Sequence, residues 1–504
     1  MKRTAIILMI CTLFTKIIGF GRDVVLSYYY GISYISDAYL VSIIIPTTIV
    51  AFIATGLTTT FIPMYSNIIK EKGNLYADKY TNSLINFIII ICTFLFISVL
   101  LFAEYIIKLF ASGFEGEVFN LAVHFTKISA FAMYFAVLIY LFSGYLNYHK
   151  DFVIPAIMGL PLNLTLIASI VISHNFNHDF LAIGMVVATF VQMLFLLLFI
   201  YKRGFRYKFY INIKDKYFKK TFLLSLPVIL GVSVNQINVI VDRTMASQIT
   251  IGGISALNYA DRFNIFVQGI FVMSIVTVIY PYISKMASEN NIGELKKFIS
   301  KTLSIIILLV LPVIIGSMVL AKPMVKLLFG RGAFGEDAII MTSDALFYYS
   351  IGMIGFALRE ILSRAFFSLQ NTKTPMINAA ISMMLNIVLN IILSKYMGIN
   401  GLALATSISA IFCSILLFIS LRKKIGPFGI KNVLITFFKV FFASLIMGLI
   451  ILIVHNKLVF LNEILLLIIS IILGVLVYSF IIYFMNIKEI EIVKKLTLKK
   501  IKIK

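Results

Sequence analysis

The chain has 504 residues, 61% of them hydrophobic and 13% charged, with a net charge of +23. A soluble domain is about 45–50% apolar and about 25% charged, so this composition leaves too little polar surface for a water-soluble enzyme and excludes disorder. Mean hydropathy is +1.02, and apolar runs long enough to cross a bilayer recur from end to end, which defines a polytopic membrane protein.

Lys2 and Arg3 precede the apolar stretch from Ala5 to Phe14. This opens like a signal peptide, but no small-residue cleavage site follows, and the segment reads as a retained first membrane helix. A spanning helix needs about 20 mainly apolar residues. Fourteen segments qualify: 5–30, 37–65, 82–111, 120–147, 153–174, 180–201, 221–248, 254–284, 302–327, 341–368, 376–395, 400–421, 433–454 and 462–486. No connection is long enough for a soluble catalytic domain. With the N-terminus in the cytoplasm, thirty Lys and Arg fall in inner segments against three outside, namely Arg331, Lys395 and Lys457. Eight of the thirty lie between Lys202 and Lys220 and seven from Lys488 to Lys504. That asymmetry places both termini in the cytoplasm and accounts for the net charge without nucleic acid. Cys11, Cys92 and Cys413 lie inside apolar runs, too scattered for a metal site or a disulfide framework.

The chain repeats itself at an offset of about 220 residues. Phe61-Ile62-Pro63-Met64-Tyr65-Ser66 is echoed by Ile279-Tyr280-Pro281-Tyr282-Ile283-Ser284, and Ile107-Lys108-Leu109-Phe110 by Val325-Lys326-Leu327-Leu328-Phe329. Pro155 is echoed by Pro375, and Ala188-Thr189 by Ala405-Thr406. The predicted organisation is therefore an N-lobe (1–201, helices 1–6), a basic cytoplasmic linker (202–220) and a C-lobe (221–424, helices 7–12). Two extra helices (425–486) and a basic tail (487–504) complete it. An even-numbered unit repeats in the same orientation, and parallel repeats place substrate sites between the halves.

Charges inside membrane helices are costly and face a cavity or one another. In helix 1, Lys16 and Asp23 share a face, Arg22 lies about 120° away, and Gly19 and Gly21 are points where the helix can bend. In helix 7, Asn235, Asn238 and Asp242 form a polar stripe, followed by Arg243, and Asp261 and Arg262 lie in helix 8. A carboxylate flanked by amides suits either a cation or an Arg partner. Asn386 and Asn390 in helix 11, with Thr406 in helix 12, offer oxygens that suit a hard cation such as Na⁺ and equally serve as helix–helix contacts. Asp37 opens helix 2, as a cap or as part of the polar set. Glu360 and Arg364 are an i, i+4 pair, and Lys108, Lys326 and Lys439 reach for the interface. Lys16, Arg22 and Arg262 together suit an anionic substrate such as a pyrophosphate, since Arg in particular matches phosphate geometry.

Three stretches resemble the MurJ/MviN family. They are Thr15-Lys16-Ile17-Ile18-Gly19-Phe20-Gly21-Arg22-Asp23 with Ser36-Asp37-Ala38-Tyr39, Pro46 and Phe61-Ile62-Pro63; Asp242-Arg243-Thr244 with Ala256-Leu257-Asn258-Tyr259-Ala260-Asp261-Arg262; and the run from Ser363 to Pro375. The resemblance implies a lipid II flippase of the MOP exporter superfamily, not an enzyme, in the bacterial inner (plasma) membrane. It would serve peptidoglycan biosynthesis, and hence cell wall biogenesis and cell shape. Its partner would be the undecaprenyl-pyrophosphate-linked precursor, moved from inner to outer leaflet by alternating access of a monomer among membrane lipids. The family's cavity cations fall on Lys16, Arg22 and Arg262, with Asp37 as an associated acid. Its sodium site falls on Asp242, Asn386, Asn390 and Thr406, and Na⁺ is the one ion implied. Its last two helices form a groove for the polyprenyl tail. Three departures stand out: Lys16 where many members carry Arg, Val50, Ala51 and Thr55 where many carry an Arg pair and an acid, and Asn390 where relatives carry a carboxylate. The alternative is a flippase for another polyprenyl-pyrophosphate-linked oligosaccharide, such as an O-antigen unit. A drug/cation antiporter calls for an acidic or aromatic cavity and a glycosyltransferase for a paired acidic motif, and the sequence offers neither.

Overall fold

The structure, a computed structural model, describes residues 2–458 and 461–485, apart from the side chains of 2–6, 227, 230–232, 234, 235 and 274. The basic groups at Lys2, Arg3 and Lys488 to Lys504 lie outside the described side chains. Every described element is an α-helix. The first nine are α1 (Lys2–Tyr30), α2 (Tyr34–Lys72), α3 (Asn74–Phe110), α4 (Gly116–Ser129), α5 (Ala132–Tyr148), α6 (Val153–Ile157), α7 (Gly159–Asn175), α8 (Asp179–Lys202) and α9 (Lys216–Ile249). The rest are α10 (Gly253–Ser288), α11 (Ile292–Val319), α12 (Ala321–Phe329), α13 (Glu336–Ser368), α14 (Lys373–Met397), α15 (Ile399–Ile425), α16 (Ile430–Lys457) and α17 (Glu463–Phe484).

Each of the fourteen expected segments coincides with one helix or with two abutting ones, the pairs being α4–α5, α6–α7 and α11–α12. Ten segments are long and apolar enough to cross a bilayer alone, and two bent ones make twelve: α4–α5, bent by 47°, and α10, bent by 43° after Met273. The other two, α1 and α9, run through positions whose side chains are not described. α1 stays helical through Gly19 and Gly21, so those glycines do not unwind it. α2 and α3 meet at Gly73, whose φ of 80° is left-handed, the region that favours glycine.

Packing divides the chain into two compact units, Met1–Ser255 with Gly332–Phe334, and Ala256–Arg331 with Gly335–Lys504. α9 opens the second copy of the repeat by sequence, yet it packs in the first unit against α2 and α3. Small and hydroxyl residues make this approach close. A Cβ on Gly56 would lie 2.8 Å from Ser225 Cβ, Tyr80 Oη meets Thr221 Oγ1 at 2.6 Å, and Thr60 Oγ1 meets Ser225 Oγ at 3.3 Å. The linker is not a loose solvated loop. Asn82 and Ser83 of α3 accept from the backbone N–H of Lys208 and Asn212, Asn86 donates to the Tyr210 carbonyl, and Asp215 caps α9.

Lipid offers a backbone group no hydrogen-bond partner, and a proline inside a helix removes the bond to the carbonyl four residues earlier. Pro46 in α2 leaves the Ser42 carbonyl in this position, and Ser129 Oγ of α4 donates to it at 2.7 Å. Pro312 in α11 does the same to Leu308, whose carbonyl accepts from Tyr478 Oη of α17 at 2.6 Å. In the second unit, Gly352 and Gly355 of α13 let α15 approach so closely that a Cβ on either would strike Ser407 or Ala410.

Ser129→Ala and Tyr478→Phe each leave a proline-freed carbonyl unpaired. Each should lower stability by about 1–3 kcal/mol, read as a fall in the thermal midpoint of the detergent-purified protein. An unchanged midpoint in both would show that these hydroxyls are not what satisfies the carbonyls.

Candidate substrate and ion sites

α1 supplies the first group. Arg22 reaches round its helix to the adjacent Asp23, with Nε 3.0 Å and Nη2 2.6 Å from Oδ1. Its Nη1 donates to Asn163 Oδ1 of α7 at 3.2 Å. Asn163 is itself held, because its amide donates to the Gly159 carbonyl at 2.8 Å. Gly19 opens the way: a Cβ there would sit 3.4 Å from Asn163 Nδ2. The guanidinium is thus fixed by a carboxylate and an amide while 21% of the Arg22 side chain stays accessible. The i, i+7 face predicted for Lys16 and Asp23 is not the one that pairs. Lys16 is exposed and forms no ion pair among the described residues. Asn163 was missed by the sequence reading, although an amide inside an apolar span is the same signal that singled out Asn386.

Asp37 is buried and caps a helix other than its own. Ser33 caps α2, whereas the Asp37 carboxylate accepts from Gly252 N at 2.7 Å, Ser255 N at 2.8 Å and Ser255 Oγ at 2.7 Å, at the start of α10. A negative charge at a helix N-terminus is favoured by the unpaired N–H groups there. Arg243 Nη1 donates to the Ile254 carbonyl at 2.9 Å in the same turn. Arg262 lies further along α10, half-buried, in the second unit.

In α9, Asn238 Nδ2 donates to Asp242 Oδ2 at 3.2 Å, so the predicted stripe is real at these two positions. The Asn235 side chain lies outside the described residues. In the second unit, Asn390 Nδ2 donates to Asn386 Oδ1 at 3.0 Å, Asn386 Nδ2 to Thr406 Oγ1 at 3.5 Å, and Thr406 Oγ1 to the Leu402 carbonyl at 3.0 Å. The three predicted side chains therefore meet, and Asn386 and Asn390 are buried. Their oxygens are the donor type that a hard cation takes. Among the described residues no three His, Cys, Asp or Glu side chains gather into a metal site.

The departures in α2 have simple local explanations. Val50 is buried in the apolar core of the first unit, and Thr55 Oγ1 bonds back to the Ala51 carbonyl at 2.7 Å. Glu360 and Arg364 pair at 3.5 Å as expected. Lys326 pairs with Glu463 at 2.6 Å, and Lys439 donates to the Met485 carbonyl at 2.9 Å.

An all-helical, multi-pass chain with hydrogen-bonded cations and amides inside its apolar helices is a polytopic membrane protein, the class to which transporters of charged substrates belong. The family model "Lipid II flippase MurJ" matches residues 26–470. A probable lipid II flippase MurJ of Buchnera aphidicola subsp. Baizongia pistaciae is 31% identical over 471 residues, 91% of this chain and 90% of that protein. The lipid II flippase MurJ of Thermosipho africanus is 30% identical over 445 residues, 88% of this chain and 89% of that protein. Among solved structures, a lipid II flippase MurJ in an inward closed conformation superposes with a TM-score of 0.84 at 30% identity, covering 96% of this chain and all of that one. A multidrug resistance MATE transporter of the MOP superfamily shares the fold at a TM-score of 0.69 and 16% identity. The chain belongs to the MurJ lipid II flippase family, and thereby to membrane transporters rather than enzymes.

Replacing Asp37 by Ala strands three donors at the start of α10. The thermal midpoint should fall by the equivalent of at least about 1–3 kcal/mol, with only partial recovery in Asp37→Asn, whose amide group brings a donor to a site built for acceptors. A midpoint unmoved by Asp37→Ala would show that this carboxylate does not hold the turn.

Proposed function

We propose that the chain is a lipid II flippase, moving the undecaprenyl-pyrophosphate-linked peptidoglycan precursor from the inner to the outer leaflet by alternating access. It works in the bacterial cell membrane with both termini cytoplasmic. The observation that carries this reading is Arg22, a guanidinium within an apolar helix held by Asp23 and Asn163, in a chain matched by the family model over residues 26–470. Lys16, Arg22 and Arg262 bind the pyrophosphate. Asp37 contributes by fixing the start of the helix that bears Arg262. A guanidinium oriented in advance loses little freedom on meeting phosphate oxygens. The polyprenyl tail stays in lipid along α16 and α17, which expose Phe438, Phe442, Leu449, Leu465 and Leu476. No covalent bond changes.

Asp242, Asn386, Asn390 and Thr406 are the residues that would hold Na⁺, which supplies a movable positive charge. Such an ion biases the cycle only if it binds two conformations unequally. The membrane potential is a second source of drive, worth about 2.3 kcal/mol per charge per 100 mV.

In cells depleted of their own lipid II flippase, the wild-type chain should restore growth. Arg22→Ala and Arg262→Ala should each fail while still reaching the membrane, and normal growth of either would remove that residue from the binding set. Asn390→Asp adds a carboxylate to the amide–hydroxyl group and should enlarge the rise in thermal midpoint produced by Na⁺ over K⁺. An equal response in mutant and wild type would argue against a sodium site there.

A further inference from the structure

At one end of the second unit, the connection from α15 to α16 separates two clefts that share Pro427. The first, about 370 Å³, is lined by Lys296, Lys297, Ser300 and Lys301 of α11 and Asn432 of α16. The second, about 420 Å³, is lined by Phe418, Ile419, Pro427 and Ile430 together with Arg422 and Lys423. A lysine-lined cleft therefore adjoins one with a mainly apolar wall that carries two further cations.

The cations of the first cleft repel one another. Lys297 and Lys301 are one helical turn apart, the spacing at which like charges destabilise a helix. None of Lys296, Lys297 and Lys301 pairs with a carboxylate among the described residues. The connection is shaped to leave them room. Gly426 and Gly429 have φ of 81° and 64°, a left-handed backbone that favours glycine. A Cβ on Gly426 would sit 3.0 Å from Lys296 Nζ, and one on Gly429 would sit 2.6 Å from Ser300 Oγ. Side chains at these two positions would press into the lysine cleft. α16 starts beside it without a side-chain cap, which adds partial positive charge to the same region.

We propose that the two clefts form one site for an anionic membrane phospholipid. Lys296, Lys297 and Lys301 take the headgroup phosphate, and Phe418, Ile419 and Ile430 take the first part of an acyl chain. Lysines are compact charges with rotating donors, suited to a phosphate that arrives in no single orientation. A soluble phosphate would satisfy the cations equally. The adjoining apolar cleft favours the lipid, because it matches the second half of an amphiphile. The site contains none of Lys16, Arg22 and Arg262, and its test does not depend on lipid II transport.

The test is native mass spectrometry of the purified full chain in detergent with phosphatidylglycerol or phosphatidylcholine added. The wild-type chain should retain phosphatidylglycerol more tightly by about tenfold or more. The triple variant Lys296→Gln, Lys297→Gln, Lys301→Gln should lose that preference. A triple variant of equal charge change elsewhere, Lys70→Gln, Lys72→Gln, Lys79→Gln, should keep it. If the first triple does not fold, the exposed pair Lys297→Gln and Lys301→Gln carries the same comparison. Equal retention of the two lipids by the wild type, undiminished preference in the folded cleft variant, or equal loss in the control triple would overturn the proposal. Displacement of the lipid by inorganic phosphate, but not by chloride at equal ionic strength, would assign the cleft to a soluble phosphate and overturn the lipid assignment.

Discussion

A hydrocarbon solvent offers no hydrogen-bond partner, so every polar group placed in it must find one within the protein. Much of this molecule follows from that constraint. Pro46 and Pro312 give α2 and α11 places to deform, and each freed carbonyl is met by a hydroxyl from another helix, Ser129 in one unit and Tyr478 in the other. Asn163, Asn386 and Asn390 are not left to themselves, because each takes part in a hydrogen bond with a neighbouring side chain. Asp37 accepts three hydrogen bonds at a helix start. Polar atoms at this depth specify which helices lie together, since van der Waals contact alone discriminates poorly between apolar faces.

Within that frame a charged side chain is stable at membrane depth only if its surroundings are built first. Arg22 illustrates the order of dependence. Gly19 admits Asn163, the Gly159 carbonyl orients Asn163, and Asn163 with Asp23 orients the guanidinium. A fifth of the side chain stays accessible on a guanidinium already held in place, which is the property the proposed recognition of a pyrophosphate would use. Lys16, exposed and without such a frame, brings charge without a fixed geometry. In the proposed reading the two cations therefore make different contributions to binding one anionic substrate.

The positions of the helical segments were legible because hydropathy over about 20 residues is a sum, insensitive to local detail; of the fourteen expected spans, ten to twelve are long and apolar enough to cross a bilayer among the described residues. The breaks inside α4–α5, α6–α7 and α11–α12 were not, because a helix break depends on a few backbone angles and on neighbours that no window contains. The anchoring of the linker was not legible for a related reason. Asn82, Ser83 and Asn86 sit at the start of a long apolar run, and only the fold shows that they bind the backbone of 208–212. Helical spacing found the Asn238–Asp242 and Asn386–Asn390 contacts, which are one turn apart. It missed Arg22–Asp23, where side-chain length overrides the angular offset between adjacent residues. Asp37 was noticed as an acid at a helix start, but its partners lie more than 200 residues away and no local pattern points to them.

The proposal turns on this chain carrying lipid II, with Lys16, Arg22 and Arg262 binding its pyrophosphate. The direct measurement is reconstitution of the purified protein into vesicles containing fluorescent lipid II on one leaflet, followed by the rate at which label reaches the other. The same vesicles would carry an O-antigen-type unit on undecaprenyl pyrophosphate for comparison. Rapid movement of lipid II, little movement of the comparison lipid, and loss of the lipid II signal in Arg22→Ala are expected. Faster movement of the comparison lipid, or lipid II movement no faster than in protein-free vesicles, would contradict the proposal.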